Sequence, residues 1–222
     1  MNHQRLYEYR FRGIDQARRD AVWVEIARYV HGALGHPERV LDPAAGRGEF
    51  INHVPAQERW AVDVVAYREG TYAAGTRVVI SDVFDADLPR EHFDAIWVSN
   101  FLEHLPDQER VSKFLERMRD TLRPGGRLAV MGPNFRYCAG EYFDCADHTV
   151  ILTHIGVAEH LYAAGLEPRR IVPRFLPYSF RGRLPPSPAL VRRYLQTPAA
   201  WRALGKQFLV IGQREDVPAA AP

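Results

Sequence analysis

Val40-Leu41-Asp42-Pro43-Ala44-Ala45-Gly46-Arg47-Gly48-Glu49-Phe50 is the stretch on which the fold turns. Arg39-Val40-Leu41 is rich in strand formers, the small residues behind it let a ligand approach the backbone, and Gly48-Glu49-Phe50-Ile51 has the character of a helix start. The stretch reads as the cofactor turn of an α/β domain. A glycine turn carries little weight alone, and its meaning comes from acidic residues placed at fixed distances downstream.

Arg59-Trp60-Ala61-Val62-Asp63-Val64-Val65 is a second strand with an acid 21 positions beyond Asp42. In dinucleotide-type folds an acid about 20 residues on hydrogen-bonds a ribose hydroxyl, which makes Asp63 the ribose candidate. Thr76-Arg77-Val78-Val79-Ile80 gives a third strand closing in Ser81-Asp82-Val83-Phe84. A carboxylate there accepts from an adenine amino group while Val83 or Phe84 covers the ring. Any one of these acids could be a helix cap or turn residue. Three in succession, Asp42, Asp63 and Asp82, each ending an apolar strand, point instead to one binding edge.

A chain of 222 residues fits one core with helices on both faces of a full sheet. With 46% hydrophobic and 25% charged residues, neither disorder nor a membrane protein is indicated. No apolar run approaches the roughly 20 residues that cross a bilayer. Met1-Asn2-His3-Gln4-Arg5 leads into charge rather than a signal core, so a cytoplasmic protein is expected. A net charge of +2 gives no footprint for nucleic acid. Cys138 and Cys145 are too few for a disulfide framework and are expected as free thiols.

Residues 14 to 34 have the spacing of an amphipathic helix, with Asp15 as N-cap and Gly35 as stop. Ahead of it, Tyr7, Tyr9, Arg10, Phe11 and Arg12 form an aromatic and cationic arm. The arm either packs on the surface, the favoured reading, or acts as a flap whose Tyr or Arg closes over a carboxylate-bearing cofactor. The fourth strand, Asp94 to Ser99, runs into Asn100-Phe101-Leu102-Glu103-His104-Leu105. A helix over 107–122 ends at Pro124-Gly125-Gly126, and Arg127 to Gly132 is the fifth strand. Thr153 caps a helix ending near Gly165, and Arg169 to Tyr178 and Gln207 to Gln213 are the last two strands. Alternating strands and helices imply a mostly parallel, doubly wound sheet.

Taken together, the turn Asp42 to Gly48, the acids Asp63 and Asp82, the run Ser99 to Leu105 and the run Leu122-Arg123-Pro124-Gly125-Gly126-Arg127-Leu128 resemble the class I S-adenosylmethionine-dependent methyltransferases from about residue 36 to 214. The resemblance implies a Rossmann-like seven-stranded sheet with an antiparallel last strand and S-adenosyl-L-methionine as cofactor. It implies that Asp42, Ala44, Ala45, Gly46 and Gly48 line the methionine and ribose side. Asp63 and Val64 would take the ribose, Asp82 and Val83 the adenine, and Asn100, Phe101 and His104 would border the sulfonium. One departure stands out: the family turn is acid-x-Gly-x-Gly-x-Gly, and Ala44 occupies the first glycine position. The cost is small if its φ is negative and large if positive. The segment 66–75 is weakly helical, so the usual second crossover helix is expected to shrink to a loop.

The acceptor side is expected in Gly132 to Thr149, dense in aromatic, acidic and imidazole groups and following a strand's carboxyl end. Methyl transfer is an in-line displacement in which the protein aligns the nucleophile and takes its proton. His148 is the candidate base, with Asp147 or Asp144 orienting it, or Glu141 in their place; these groups bonding only the loop backbone is an equal alternative. A metal held by Cys138, Cys145, Asp144, Asp147, His148 and His154 matches no zinc spacing, and no metal is expected. The family resemblance, more weakly, also suggests an acceptor that is a sugar or nucleotide-linked sugar. An insert over 179–205, with Arg181, Arg183, Arg192 and Arg193, either meets such a phosphate or forms a solvated face or dimer contact. Residues 1–35 form an N-terminal arm and helix, 36–214 the catalytic domain, and 215–222 a tail. The expected activity is methylation of a hydroxyl on a small polar acceptor by a monomer or homodimer without nucleic-acid or membrane partners. The alternatives are a cofactor-binding protein with non-methylating chemistry, or one supporting a pathway enzyme. A nicotinamide oxidoreductase is disfavoured because no full Gly-x-Gly-x-x-Gly is present.

Overall fold

The computed structural model describes residues 3–10, 12–13, 15–178 and 187–215. Strands β1 (Arg39–Asp42), β2 (Glu58–Asp63), β3 (Thr76–Ile80), β4 (Phe93–Ser99), β5 (Leu122–Pro133), β6 (Leu166–Val172) and β7 (Gln207–Arg214) form one sheet in the order 3-2-1-4-5-7-6. The first five run parallel, and β7 lies antiparallel between β5 and β6. This is the doubly wound α/β fold expected, with its antiparallel last strand.

Strand periodicity divides the core. Val40, Ala95, Trp97, Ala129 and Met131 face one side, while Leu41, Ile96, Val98, Leu128 and Val130 face the other. The first side is covered by α2 (Gln16–Ala33) through Val22, Ile26 and Val30, and by α6 (Pro188–Leu195) and α7 (Pro198–Leu204). The second is covered by α3 (Gln108–Thr121) through Val111, Phe114 and Met118, and by α5 (His154–Ala163) through Val157 and Leu161. Central strands buried on both faces must be apolar throughout, which is why β1 and β4 read as continuous hydrophobic runs rather than alternating ones.

Local signals placed most helix ends. Asp15 accepts from the Arg18 amide, Asp107 from Arg110 and Thr153 from Gly156, each capping a helix at its first turn. β5 begins at Leu122 and β6 at Leu166, each earlier than the sequence expectation, and three further features differ. After Gly48 the chain makes isolated helical turns, Asn52 N to Gly48 O at 2.9 Å and Val54 N to Phe50 O at 3.0 Å, and no helix. Pro55 stops the turn, and buried Phe50 stacks on Trp97 at 4.9 Å. The last two strands bracket Pro173, whose missing N–H ends β6 at Val172 instead of Tyr178. Within the expected acceptor loop, Phe135–Tyr142 folds as α4. Segment 64–75 carries no helix, as expected.

The arm includes α1 (His3–Arg10). Phe11, the Tyr7 side chain, Arg181 and Arg183 of the insert, and residues 216–222 of the tail lie outside the described residues. Of the insert arginines, Arg192 binds Glu25 of α2 through two nitrogens at 2.9 and 2.6 Å, so it ties α6 to the core face. The Glu25 carboxyl is held below its ordinary value by that bond.

Candidate active site

Parallel strands β3, β2, β1 and β4 end side by side, so the residues immediately past each strand share one edge. Asp42, Asp63 and Asp82 stand there, and each accepts from the amide two residues on: Ala44 at 3.4 Å, Val65 at 2.8 Å and Phe84 at 2.9 Å. Such local bonds turn the backbone sharply past the strand and aim the carboxylates along the edge. They are turn residues and a carboxylate edge at once. Asp63 differs from the other two because its second oxygen accepts from the Gly46 amide at 2.8 Å, joining the β2 end to the glycine turn of β1. Burial raises the Asp63 carboxyl, opposed by the Val65 and Gly46 amides, and raises that of fully enclosed Asp42 much further.

The turn itself explains the Ala44 departure. Gly46 (φ 54°) and Gly48 (φ 79°) adopt left-handed backbone, whereas Ala44 is not among the positive-φ residues. A side chain at Gly48 would also strike the Asn52 amide at 2.6 Å. The positions that require glycine have it, and the position that lacks it does not need it. Ala45 donates its N–H to the Val62 carbonyl at 3.0 Å, and Tyr72 from segment 64–75 donates its hydroxyl to the Gly46 carbonyl at 2.8 Å. Asn52 holds the same segment through the Thr71 carbonyl and the Ala73 amide. Val64 is 62% exposed beside Asp63, Asp82 is exposed, and Val83 is buried in the core. Phe84 carries the Arg110 guanidinium 3.4 Å from its ring centroid.

Past β4, Asn100 is left-handed with φ 48° and is exposed, a strained backbone for a residue other than glycine. Phe101 packs on Phe114 at 5.0 Å, and Leu102–His104 forms a single 3-10 turn. That turn reaches the loop over 143–153. The Glu103 carbonyl accepts from the Thr149 and Val150 amides at 2.9 and 3.2 Å, and Thr149 also donates to Leu105 O. The loop's base is closed by Phe135 N on Leu152 O and by buried Asn134, whose side chain bonds His154 and the Pro173 carbonyl.

These contacts gather Glu103, His104, Asp147 and His148. His104 Nδ1 lies 3.0 Å from the Asp147 carbonyl and 3.4 Å from its carboxylate. Arg10 of α1 forms an ion pair with the other Asp147 oxygen. The His148 ring lies 4.9 Å from that of His104 and 4.8 Å from Tyr142, and its buried Nδ1 has no hydrogen-bond partner among the described residues. Burial, aided by His104, pushes the His148 pKa down to about 4, so the ring is neutral at pH 7. The Asp147 carboxyl is held below its usual value despite burial by the Arg10 hydrogen bond and the charge of His104. Glu103 is 1% exposed and burial raises its carboxyl.

Asp147 therefore orients His104, not its sequence neighbour His148. Asp144 is exposed, and among the described residues its carboxylate makes no hydrogen bond. Glu141 pairs with Lys206. Cys138 is buried, its thiol pushed up to about 12 by desolvation, and Cys145 contacts the Tyr178 hydroxyl at 3.3 Å. Both are free thiols. The cysteine-containing metal set considered from the sequence is not brought together. Arg10 enters the sequence reading only within the arm, as a flap residue toward a cofactor carboxylate, and here it pairs with Asp147; Glu103 is not a site candidate there. Glu103 carried the one available signal, an acid inside an apolar run leaving a strand.

A carboxylate edge at the switch between β1 and β4, beside a glycine turn with left-handed backbone, defines a nucleoside-cofactor-binding α/β domain. Residues 10–162 match the family model described as methyltransferase domain, and the chain belongs to that family. Among solved structures, a SAM-dependent methyltransferase from Archaeoglobus fulgidus is 21% identical, with a TM-score of 0.64 over 96% of this chain and 100% of its own. The 1,6-didemethyltoxoflavin-N1-methyltransferase of Burkholderia thailandensis, bound to its substrate and S-adenosylhomocysteine, is 21% identical, with a TM-score of 0.60 over 96% and 87%. An S-adenosylmethionine-dependent methyltransferase from Mesorhizobium loti is 15% identical, with a TM-score of 0.58 over 85% and 96%. No curated protein matches the chain in sequence.

Proposed function

We infer that the protein transfers a methyl group from S-adenosylmethionine to a hydroxyl of a small polar acceptor, with a sugar-containing metabolite as the favoured class. Membership of the family makes it a methyltransferase, and S-adenosylmethionine is its cofactor. The observation that carries the acceptor reading is the run Asn100 to His104, which leaves the cofactor edge and delivers Glu103 and His104 to Asp147 and His148. In the transfer the sulfonium C–S bond breaks, the acceptor oxygen forms the new C–O bond, S-adenosylhomocysteine leaves, and the hydroxyl proton must go to a neighbouring group or water. In this reading Asp63, which accepts from two amides, takes the ribose hydroxyls, and Asp42 and the Gly46–Gly48 turn take the methionine side; the bracing of Asp63 supports it. The imidazoles and carboxylates of the acceptor cluster suit hydroxyl groups, which both donate and accept. Residues 36–214 constitute the catalytic unit, with α2 covering one face of its sheet.

Incubating the protein with methyl-labelled S-adenosylmethionine and a panel of free sugars, nucleotide-linked sugars, phenols and amines tests the reading. Label is expected on a sugar hydroxyl, with transfer reduced at least tenfold in His104→Asn. Transfer confined to amines, or to none of the panel while the cofactor binds, would remove the hydroxyl assignment.

A further inference from the structure

Glu103 is only 1% exposed, yet among the described residues no cation lies at ion-pair distance from its carboxylate. An ionised carboxylate buried this way costs several kcal/mol unless a positive charge compensates it. Two imidazoles stand beside it. One donor atom each from Glu103, His104 and His148 lie within 4.8 Å of one another. Donor atoms bound to one dication at about 2.0–2.2 Å stand roughly 3–4 Å apart, so a small inward shift of the side chains would close the set around an ion.

The surroundings of each imidazole fit the same geometry. His104 gives Nδ1 to the Asp147 carbonyl at 3.0 Å, with the Asp147 carboxylate 3.4 Å away, which among the described residues leaves Nε2 as its open nitrogen. A metal-bound histidine characteristically gives its other nitrogen to a carboxylate or carbonyl in this way, and Arg10 in turn holds that carboxylate in place. His148 is 8% exposed and among the described residues its Nδ1 has no hydrogen-bond partner, an orphaned buried nitrogen of the kind that signals an unfilled contact. Gly132 on β5 leaves the room: a Cβ there would lie 3.4 Å from Glu103 Oε2. The sequence-based metal set drew on the cysteines and His154; His154 is instead engaged by Asn134 and stacked on Tyr137.

We propose that Glu103, His104 and His148 form a site for one divalent transition-metal ion, with Asp147 and Arg10 as its outer support. Two imidazoles and one carboxylate select Zn²⁺, Mn²⁺ or Fe²⁺ over Mg²⁺ and Ca²⁺, which prefer oxygen. Three protein ligands leave open positions on the ion, and these are where two neighbouring hydroxyls of an acceptor would be held. That last role rests on the methyl-transfer reading above; cation binding itself does not.

The test strips the full-length protein with chelator and titrates it with Zn²⁺, Co²⁺ and Mg²⁺, following heat, metal content and, for Co²⁺, visible absorption. One Zn²⁺ or Co²⁺ per chain is expected, with Mg²⁺ bound at least tenfold more weakly and a metal-dependent rise in Tm. Glu103→Gln and His148→Ala should each weaken Zn²⁺ at least tenfold, while His160→Ala, at a histidine of α5 occupied with Ser112 and Gln108 of α3, should not. Affinity for S-adenosylhomocysteine, measured on every variant, reports that each one folds. Should either fail to fold, His148→Asn and the wild-type Co²⁺ spectrum, with the intensity of a four- or five-coordinate nitrogen-bearing site, carry the test. Absence of stoichiometric Zn²⁺ and Co²⁺ in the wild type, or binding unchanged in both ligand variants, overturns the site. Cofactor binding without metal binding rejects the metal alone, whereas metal binding without cofactor binding rejects the methyl-transfer reading alone.

Discussion

At the carboxylate edge Asp42, Asp63 and Asp82 each bind an amide two residues away, whereas at the histidine cluster His104 meets a partner 43 positions on and Arg10 one 137 positions on. The first region is held by strand ends and turns whose conformation is set locally. The second exists only because a 3-10 turn, a loop and an N-terminal helix close on one another. Substitutions at the edge should therefore damage cofactor binding and folding together, while those at the cluster should act on the acceptor and spare the cofactor.

The largest expected effect is at the edge. Asp63→Ala removes the carboxylate that braces Gly46 and Val65 and that the proposed reading gives to the ribose, and charged hydrogen bonds are worth about 1.5–3 kcal/mol each. Affinity for S-adenosylhomocysteine by calorimetry should fall about 100-fold. A loss under threefold would mean that the ribose is held elsewhere.

Next comes a pair of substitutions within one turn. Gly48→Ala forces a side chain onto left-handed backbone and against Asn52, at a cost of about 2 kcal/mol, and should loosen segment 71–73. Ala44→Gly relieves nothing, and should change stability by about 0.5–1 kcal/mol in the unfavourable direction through the freer unfolded chain. Denaturant midpoints distinguish the two. A stabilised Ala44→Gly would show strain at Ala44 and reopen the family departure.

The smallest effect belongs to the cluster. Arg10→Ala leaves Asp147 with His104 alone and should lower kcat/KM for the acceptor about fivefold, or about 1 kcal/mol, with cofactor affinity unchanged. An equal loss in cofactor affinity would place α1 over the nucleoside instead.

The same division explains which features are legible in the sequence. Hydrophobic runs locate β1 to β5 and β7, caps locate α2, α3 and α5, and the spacing of Asp42, Asp63 and Asp82 locates the edge, because each signal spans a few residues. A helix after Gly48 is the wrong reading: its glycine start looks helical, while Pro55 and the burial of Phe50 decide against it. β6 is displaced because an apolar run continues past Pro173, where the ladder cannot. At the acceptor side, His148 and Asp147 are visible as residue types, but adjacency in sequence suggests a pairing that the backbone does not make. Asp147 turns to His104 and Arg10.

From sequence alone come the methyltransferase-type sheet and the three strand-end carboxylates, since these depend on local backbone preferences and on the two-residue period of strands, whereas the sign of φ that makes alanine tolerable at position 44 came from the structure. Only the tertiary structure decided that Glu103 and His104 face His148 and that Arg10 reaches Asp147. Such contacts between distant segments are made by packing and loop closure, and no local preference encodes which buried polar group meets which.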